Sequence, residues 1–91
     1  MHIGIATIPT EYSIDPAVLA KRAEEMGFES VWIAEHHSSR YGIFPSLIPI
    51  LSYIAGQTKK IRLGTGVSVL PFHNPIRLAE ESAMVDLLSN G

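Results

Sequence analysis

Ser30-Val31-Trp32-Ile33-Ala34-Glu35-His36-His37 is the stretch whose reading decides the fold. Its first five residues show no polar alternation, the pattern of a parallel strand covered on both faces, and acid–base side chains follow at once. Gly27, just upstream, is placed to end a helix in a left-handed turn. That helix begins at Asp15-Pro16, an N-cap followed by a proline at the first helical position. It sets Leu19, Ala20, Ala23 and Met26 on one face, with Lys21, Arg22, Glu24 and Glu25 turned away. Ahead of it, Ile3 to Ile8 reads as a short buried strand stopped by Pro9. Downstream, Ser46 to Thr58 puts Leu47, Ile50, Leu51, Ile54 and Ala55 on one helical face, and Pro49 falls in the first turn when Ser46 is the cap. Ile61 to Val67 predicts a third strand. His73-Asn74-Pro75 then repeats the cap-then-proline signal before a third helix, with Ile76, Ala79, Ala83, Leu87 and Leu88 on its apolar face and Asn90-Gly91 as its stop.

The resulting order, β-α-β-α-β-α, argues for an α/β fold with a parallel sheet and right-handed crossovers. In such folds ligands bind at the C-terminal ends of the strands. Three segments lie there: Ala6 to Tyr12, Ala34 to Tyr41 and Thr65 to Asn74.

Composition narrows the function classes. The chain has 91 residues, 46% of them hydrophobic and 18% charged, so it wants a core and is not a disordered polyelectrolyte. A net charge of −2, with no basic cluster beyond Lys59-Lys60, gives no footprint for nucleic acid or an anionic membrane. Small molecules are the expected partners. The absence of cysteine excludes a disulfide scaffold, a thiolate nucleophile and cysteine-based metal sites. No apolar run approaches the roughly 20 residues of a membrane span, and Met1-His2 leads into the first strand without a basic leader, so a soluble cytoplasmic protein is expected.

Two features carry chemistry. Glu35-His36-His37 stands at the predicted catalytic edge, and the residues alone leave it open between a hydrogen-bonded histidine beside an exposed one, catalysis or ligand contact, and metal binding. Adjacent histidines point in opposite directions in extended chain, so a metal needs a further ligand, for which His73 is the candidate; as a lone histidine before a cap it also reads as a solvated loop residue. Gly64-Thr65-Gly66-Val67-Ser68 lacks the glycine pattern of phosphate-binding loops. Its small residues fit either tight helix–strand packing or a bulge, or else the close approach of a flat ring to the backbone with strained geometry such as a non-proline cis peptide. Trp32 reads as core, Tyr53 and Met84 as packing residues, Glu80-Glu81 as solvated, and Arg77 as a surface or ion-pairing residue.

Three stretches taken in order resemble the bacterial luciferase-like flavin monooxygenase family: Gly27-Phe28-Glu29-Ser30-Val31-Trp32-Ile33-Ala34-Glu35-His36-His37, Ile61-Arg62-Leu63-Gly64-Thr65-Gly66-Val67, and Leu70-Pro71-Phe72-His73-Asn74-Pro75-Ile76-Arg77-Leu78-Ala79-Glu80. The resemblance continues through Asp86-Leu87-Leu88-Ser89-Asn90-Gly91. It implies a (β/α)8 TIM barrel, of which residues 1–91 are expected to be the N-terminal segment, the first three β-α units, cut short at Gly91. A closed barrel takes about 250 residues, so the isolated segment is expected to be marginal or aggregation-prone.

Residue by residue, the resemblance implies that His36 is the active-site histidine and Glu35 a cofactor-pocket residue. Gly66-Val67 matches the family's non-proline cis peptide behind the isoalloxazine ring. Ala6 and Thr7 look like the pocket floor, and Thr65 joins the cofactor-binding set; no metal ligand is implied. The implied reaction is oxidation of a small organic substrate by O2 with reduced FMN, with His36 transferring a proton, a flavin reductase as electron donor and a homo-oligomer at full length. The family's flavin-phosphate contacts come mostly from later in the barrel. Ile8-Pro9-Thr10-Glu11-Tyr12-Ser13-Ile14-Asp15-Pro16 looks like members that use a 5-deazaflavin coenzyme for hydride transfer, which makes that coenzyme the alternative, although Glu35-His36-His37 leans to FMN. The remaining alternatives are a fragment that binds no cofactor and a metal-dependent hydrolase built on Glu35, His36, His37 and His73.

Overall fold

A computed structural model describes residues 2–8 and 15–91. Pro9, the Thr10 to Tyr12 end of the first candidate segment, and Ser13 and Ile14 lie outside the described residues. The strands β1 (Gly4–Thr7), β2 (Ser30–Ile33) and β3 (Arg62–Thr65) form a parallel sheet in the order β1-β2-β3. Helices α1 (Pro16–Glu25), α2 (Leu47–Ala55) and α3 (Pro75–Ser89) follow them in alternation, with a short 3-10 turn at Leu70–Phe72 before α3.

Local chemistry places the helix ends. Asp15 Oδ1 accepts the Ala17 N–H at 2.8 Å and Asn74 Oδ1 accepts those of Ile76 and Arg77 at 3.1 and 3.2 Å, so both cap-then-proline signals are real N-termini. Gly27 adopts φ +85 and ends α1 as its lack of a Cβ allows. Helix α2 stops at Ala55, three residues before the expected Thr58, because the Ile54 carbonyl is taken by the N–H groups of Gln57 and Thr58 and by the Thr58 hydroxyl. Ser46 is its N-cap by position, but its side chain accepts no cap bond.

The core lies between one face of the sheet and helices α1 and α2. Ala17, Ala20, Ala23, Val31, Ile33, Leu47, Leu51, Ile54 and Ile61 are buried there. On α1 the buried face is therefore Ala17, Ala20 and Ala23, while Leu19 is half-buried and Met26, beyond the last helical turn, is exposed. Alanines on this face let α1 approach the sheet closely.

Register decides which side chains face the core. Val31 pairs with Ile5 and Leu63, and Ile33 with Thr7 and Thr65, facing the helices; Trp32 pairs with Ala6 and Gly64 on the opposite face. That face is open, so Trp32 is 45% exposed and not core as expected, and β1 is half-buried instead of buried. The indole instead lies flat across the sheet. A Cβ at Gly64 would stand 2.4 Å from its Cε3, one at Gly4 would stand 2.3 Å from Ser30 Oγ, and the indole N–H donates to that hydroxyl at 3.0 Å. Gly64 thus serves packing against Trp32.

Helix α3 departs most from expectation. It packs along α2, and Leu78, Glu81, Val85 and Ser89 form its half-buried side, whereas Ile76, Met84, Leu87 and Leu88 are exposed. A cleft of about 640 Å³ separates it from β3. The face expected to be apolar and buried has no sheet beneath it among the described residues. Tyr53 likewise is half-exposed and donates its hydroxyl to Asp15 Oδ2 at 2.8 Å, while Arg77 forms an exposed ion pair with Glu81 at 3.1 Å. Among the described residues no helix is long and apolar enough to cross a membrane.

Candidate functional site

The C-terminal ends of β2 and β3 are laced together past the regular sheet. The Gly66 N–H donates to the Ile33 carbonyl at 2.8 Å and the Glu35 N–H to the Val67 carbonyl at 3.3 Å. Between these two bonds lies the Gly66–Val67 peptide, which is cis. Gly66 shares the open face with Trp32, its missing Cβ lying 3.6 Å from the Trp32 Cβ. Ala6 occupies the same face one strand away, in register with Trp32. Thr65 is in register with Ile33 and so turns towards the helices, away from Ala6 and Gly66. Val67, beyond the strand, is exposed.

His36 sits at the rim of this surface, half-buried. Its N–H donates to the Phe44 carbonyl at 3.2 Å, which folds the loop after β2 back over it. Tyr41 meets the imidazole edge-on with ring centroids 5.3 Å apart, and a Cβ on Gly42 would fall 2.5 Å from the ring's Cδ2. Buried Gly42 is therefore a packing requirement of the histidine.

Glu35 points the other way. Its side chain is fully buried and both oxygens are engaged: Oε1 by His37 Nε2 at 2.6 Å, Oε2 by His73 Nε2 at 2.8 Å and by the Val69 N–H at 3.0 Å. Burial alone would raise its pKa, but the bonds from His37, His73 and Val69 outweigh it and hold the carboxyl below its ordinary value. An ionised carboxylate only accepts, so both imidazoles present an N–H at Nε2, a tautomer assigned from this network. His37 also meets Phe72 edge-on at 4.6 Å between centroids.

The structure thus separates the triplet. His37 and Glu35 join a polar knot, and His36 alone faces the Tyr41–Gly42 pocket. His73 is no solvated loop residue: its side chain is 22% exposed and bonded to a carboxylate 38 positions away. No local signal in the sequence announces that pairing, nor the fit of Gly42 against His36. Among the described residues no group of three histidine, aspartate or glutamate side chains is placed to hold a metal ion.

Residues 9–91 match the family described as luciferase-like monooxygenase. The chain belongs to the luciferase-like monooxygenase family. Among relatives of this family, it is 42% identical over 73 residues to the oxygenase component of the flavin-dependent trigonelline monooxygenase of Acinetobacter baylyi, a match covering 80% of this chain and 20% of that protein. It is 38% identical over 73 residues to the alkanal monooxygenase alpha chain of Photorhabdus luminescens, with the same coverage of 80% and 20%. The structure of the monooxygenase RslO1 from Streptomyces bottropensis superposes with a TM-score of 0.91 at 35% identity, covering 100% of this chain and 31% of that one. This luciferase-like chain therefore spans about a fifth of the length of the curated relatives it matches. Its three parallel strands and alternating helices match part of the fold of this luciferase-like monooxygenase.

Proposed function

We propose that residues 1–91 are the N-terminal segment of a luciferase-like (β/α)8 barrel that oxidises a small organic substrate with O2 and reduced FMN, with His36 as its catalytic residue. The observation that carries this reading is the placement of His36 at the C-terminal rim of an open, small-residue face. The family membership and the flavin dependence printed for the trigonelline enzyme support it.

The residues present fit a flavin ring. Ala6 and Gly66 carry at most a methyl group on that face, the Trp32 indole lies flat across the sheet beside them, and exposed Val67 borders it. These residues would hold the ring, and reduced flavin would supply the electrons that activate O2. His36 would lie beside the ring and hold or move a proton at an imidazole nitrogen. Tyr41 and Gly42 keep it from rotating away. Thr65 and Glu35 contribute to the cofactor pocket from behind the contact surface. A flavin reductase as electron donor, a cytoplasmic setting and a homo-oligomer complete the proposal.

The test is His36→Ala in the protein at its full expressed length. With saturating reduced FMN, turnover is expected to fall about 10²–10⁴-fold, the usual contribution of a positioned proton-transfer group, while flavin binding persists. Unchanged turnover would remove His36 from the mechanism. Turnover with a reduced 5-deazaflavin and none with reduced FMN would reassign the cofactor.

A further inference from the structure

Glu35 holds the segment after β3 at successive points. Its backbone N–H bonds the Val67 carbonyl at 3.3 Å, its carboxylate takes the Val69 N–H at 3.0 Å, and His73, just beyond the 3-10 turn, closes on the same oxygen at 2.8 Å. His37, on the other oxygen at 2.6 Å, packs its ring against Phe72 of that turn. Every one of these contacts originates from a residue adjacent to His36 or from Glu35 itself. Backbone bonds hold Gly66 and Val67 to β2, and the one buried Glu35 side chain ties the following stretch, Val69 to His73, to the residues that flank His36.

Stability does not account for this arrangement. A fully buried carboxylate with imidazole partners is an expensive way to join two loops, and apolar residues of similar volume commonly do as well or better. What a fully bonded polar knot adds is a single permitted geometry. We propose that Glu35 and His73 are positioning residues for His36: the knot sets the distance between the β2 and β3 loops, and with it the direction of the His36 ring towards the Gly66-Val67 side of the open face. The catalytic consequence rests on the function proposed above, whereas the positioning itself is a property of the fold.

Glu35→Gln keeps the shape but offers one acceptor oxygen and two N–H donors, so one imidazole loses its acceptor. In the protein at its full expressed length, this substitution is expected to shift the ring proton and carbon resonances of His36 in the absence of flavin. It is also expected to lower kcat about 10²-fold, as a displacement of about 1 Å does, with KM for the substrate nearly unmoved. His73→Gln, which leaves the His37 and Val69 bonds in place, is expected to move the same readouts in the same direction by less. A merely structural knot would lower the melting temperature and leave the His36 resonances where they were, and that result in a folded Glu35→Gln protein overturns the proposal. Should Glu35→Gln not fold, unshifted His36 resonances in His73→Gln overturn it equally. Shifted resonances in a protein that never turns over with reduced FMN sustain the positioning and refute the assigned function instead.

Discussion

Adding one methyl group at Gly64 tests the packing that turned Trp32 to the open face. A Cβ there would stand 2.4 Å from Cε3 and 2.7 Å from Cδ2 and Cζ3 of the indole. Carbon atoms pack at about 3.5–4.0 Å, so something has to move by roughly 1 Å. The Gly64 backbone is held in register with Trp32, and the indole, being 45% exposed, can lift towards solvent. Lifting strains its bond to Ser30 Oγ, worth about 0.5–1.5 kcal/mol net, within an overpacking cost of about 1–3 kcal/mol. Since solvent offers room, we expect Gly64→Ala to destabilise by about 1–2 kcal/mol, after the smaller gain from a stiffer unfolded chain. In a barrel of about 250 residues, at about 2–4 °C per kcal/mol, the melting temperature should fall by roughly 2–8 °C. Circular dichroism measures the melt, and fluorescence reports the indole of Trp32, the sole tryptophan of residues 1–91. Its emission should shift to the red. Gly56→Ala is the control: the nearest atom to its Cβ would be 3.6 Å away and φ is −66, so it should be neutral or slightly stabilising. A Gly64→Ala protein with the stability of the control and unchanged emission would refute the argument.

Two further outcomes follow from the same geometry. Glu24 accepts the N–H groups of Lys59, Lys60 and Ile61 at 2.9, 2.5 and 2.8 Å. Burial works to raise its pKa, but those bonds and the Lys60 charge win and hold it below the ordinary 4.5. A folded-state pKa below the unfolded one contributes stability that is complete above the unfolded value and is lost as pH falls through the folded one. Glu24→Gln should therefore flatten the acid limb of a plot of unfolding free energy against pH below about 4.5, and an unchanged slope would refute the contribution of those three bonds. Gly42→Ala would push a Cβ to 2.5 Å from the His36 ring. It should lower turnover by displacing that ring while leaving the circular dichroism spectrum intact, and full turnover would show that the ring adapts.

What the sequence alone determined about this protein is what neighbouring residues decide among themselves. Asp15-Pro16, Asn74-Pro75 and Gly27 satisfy or release backbone groups within a few positions, so the helix ends were legible, and with them the alternation and the parallel sheet. The order of three motifs made the family and its fold legible as well. Helix phase and strand facing were not. An apolar run does not state which of its sides meets a helix, and only the register with Ala6 and Gly64 put Trp32 on the open face. The apolar stripe of α3 was visible, but its burial requires a surface that the three described strands do not extend beneath it. At the candidate site, the position of His36 just past β2 was legible in the sequence, while the pairing of Glu35 with His73 and the fit of Gly42 against the imidazole were decided by tertiary structure alone. Their physical reason is chain closure: a buried charge takes whatever donors the fold delivers to it, and the β3 loop delivers His73 across 38 positions of sequence.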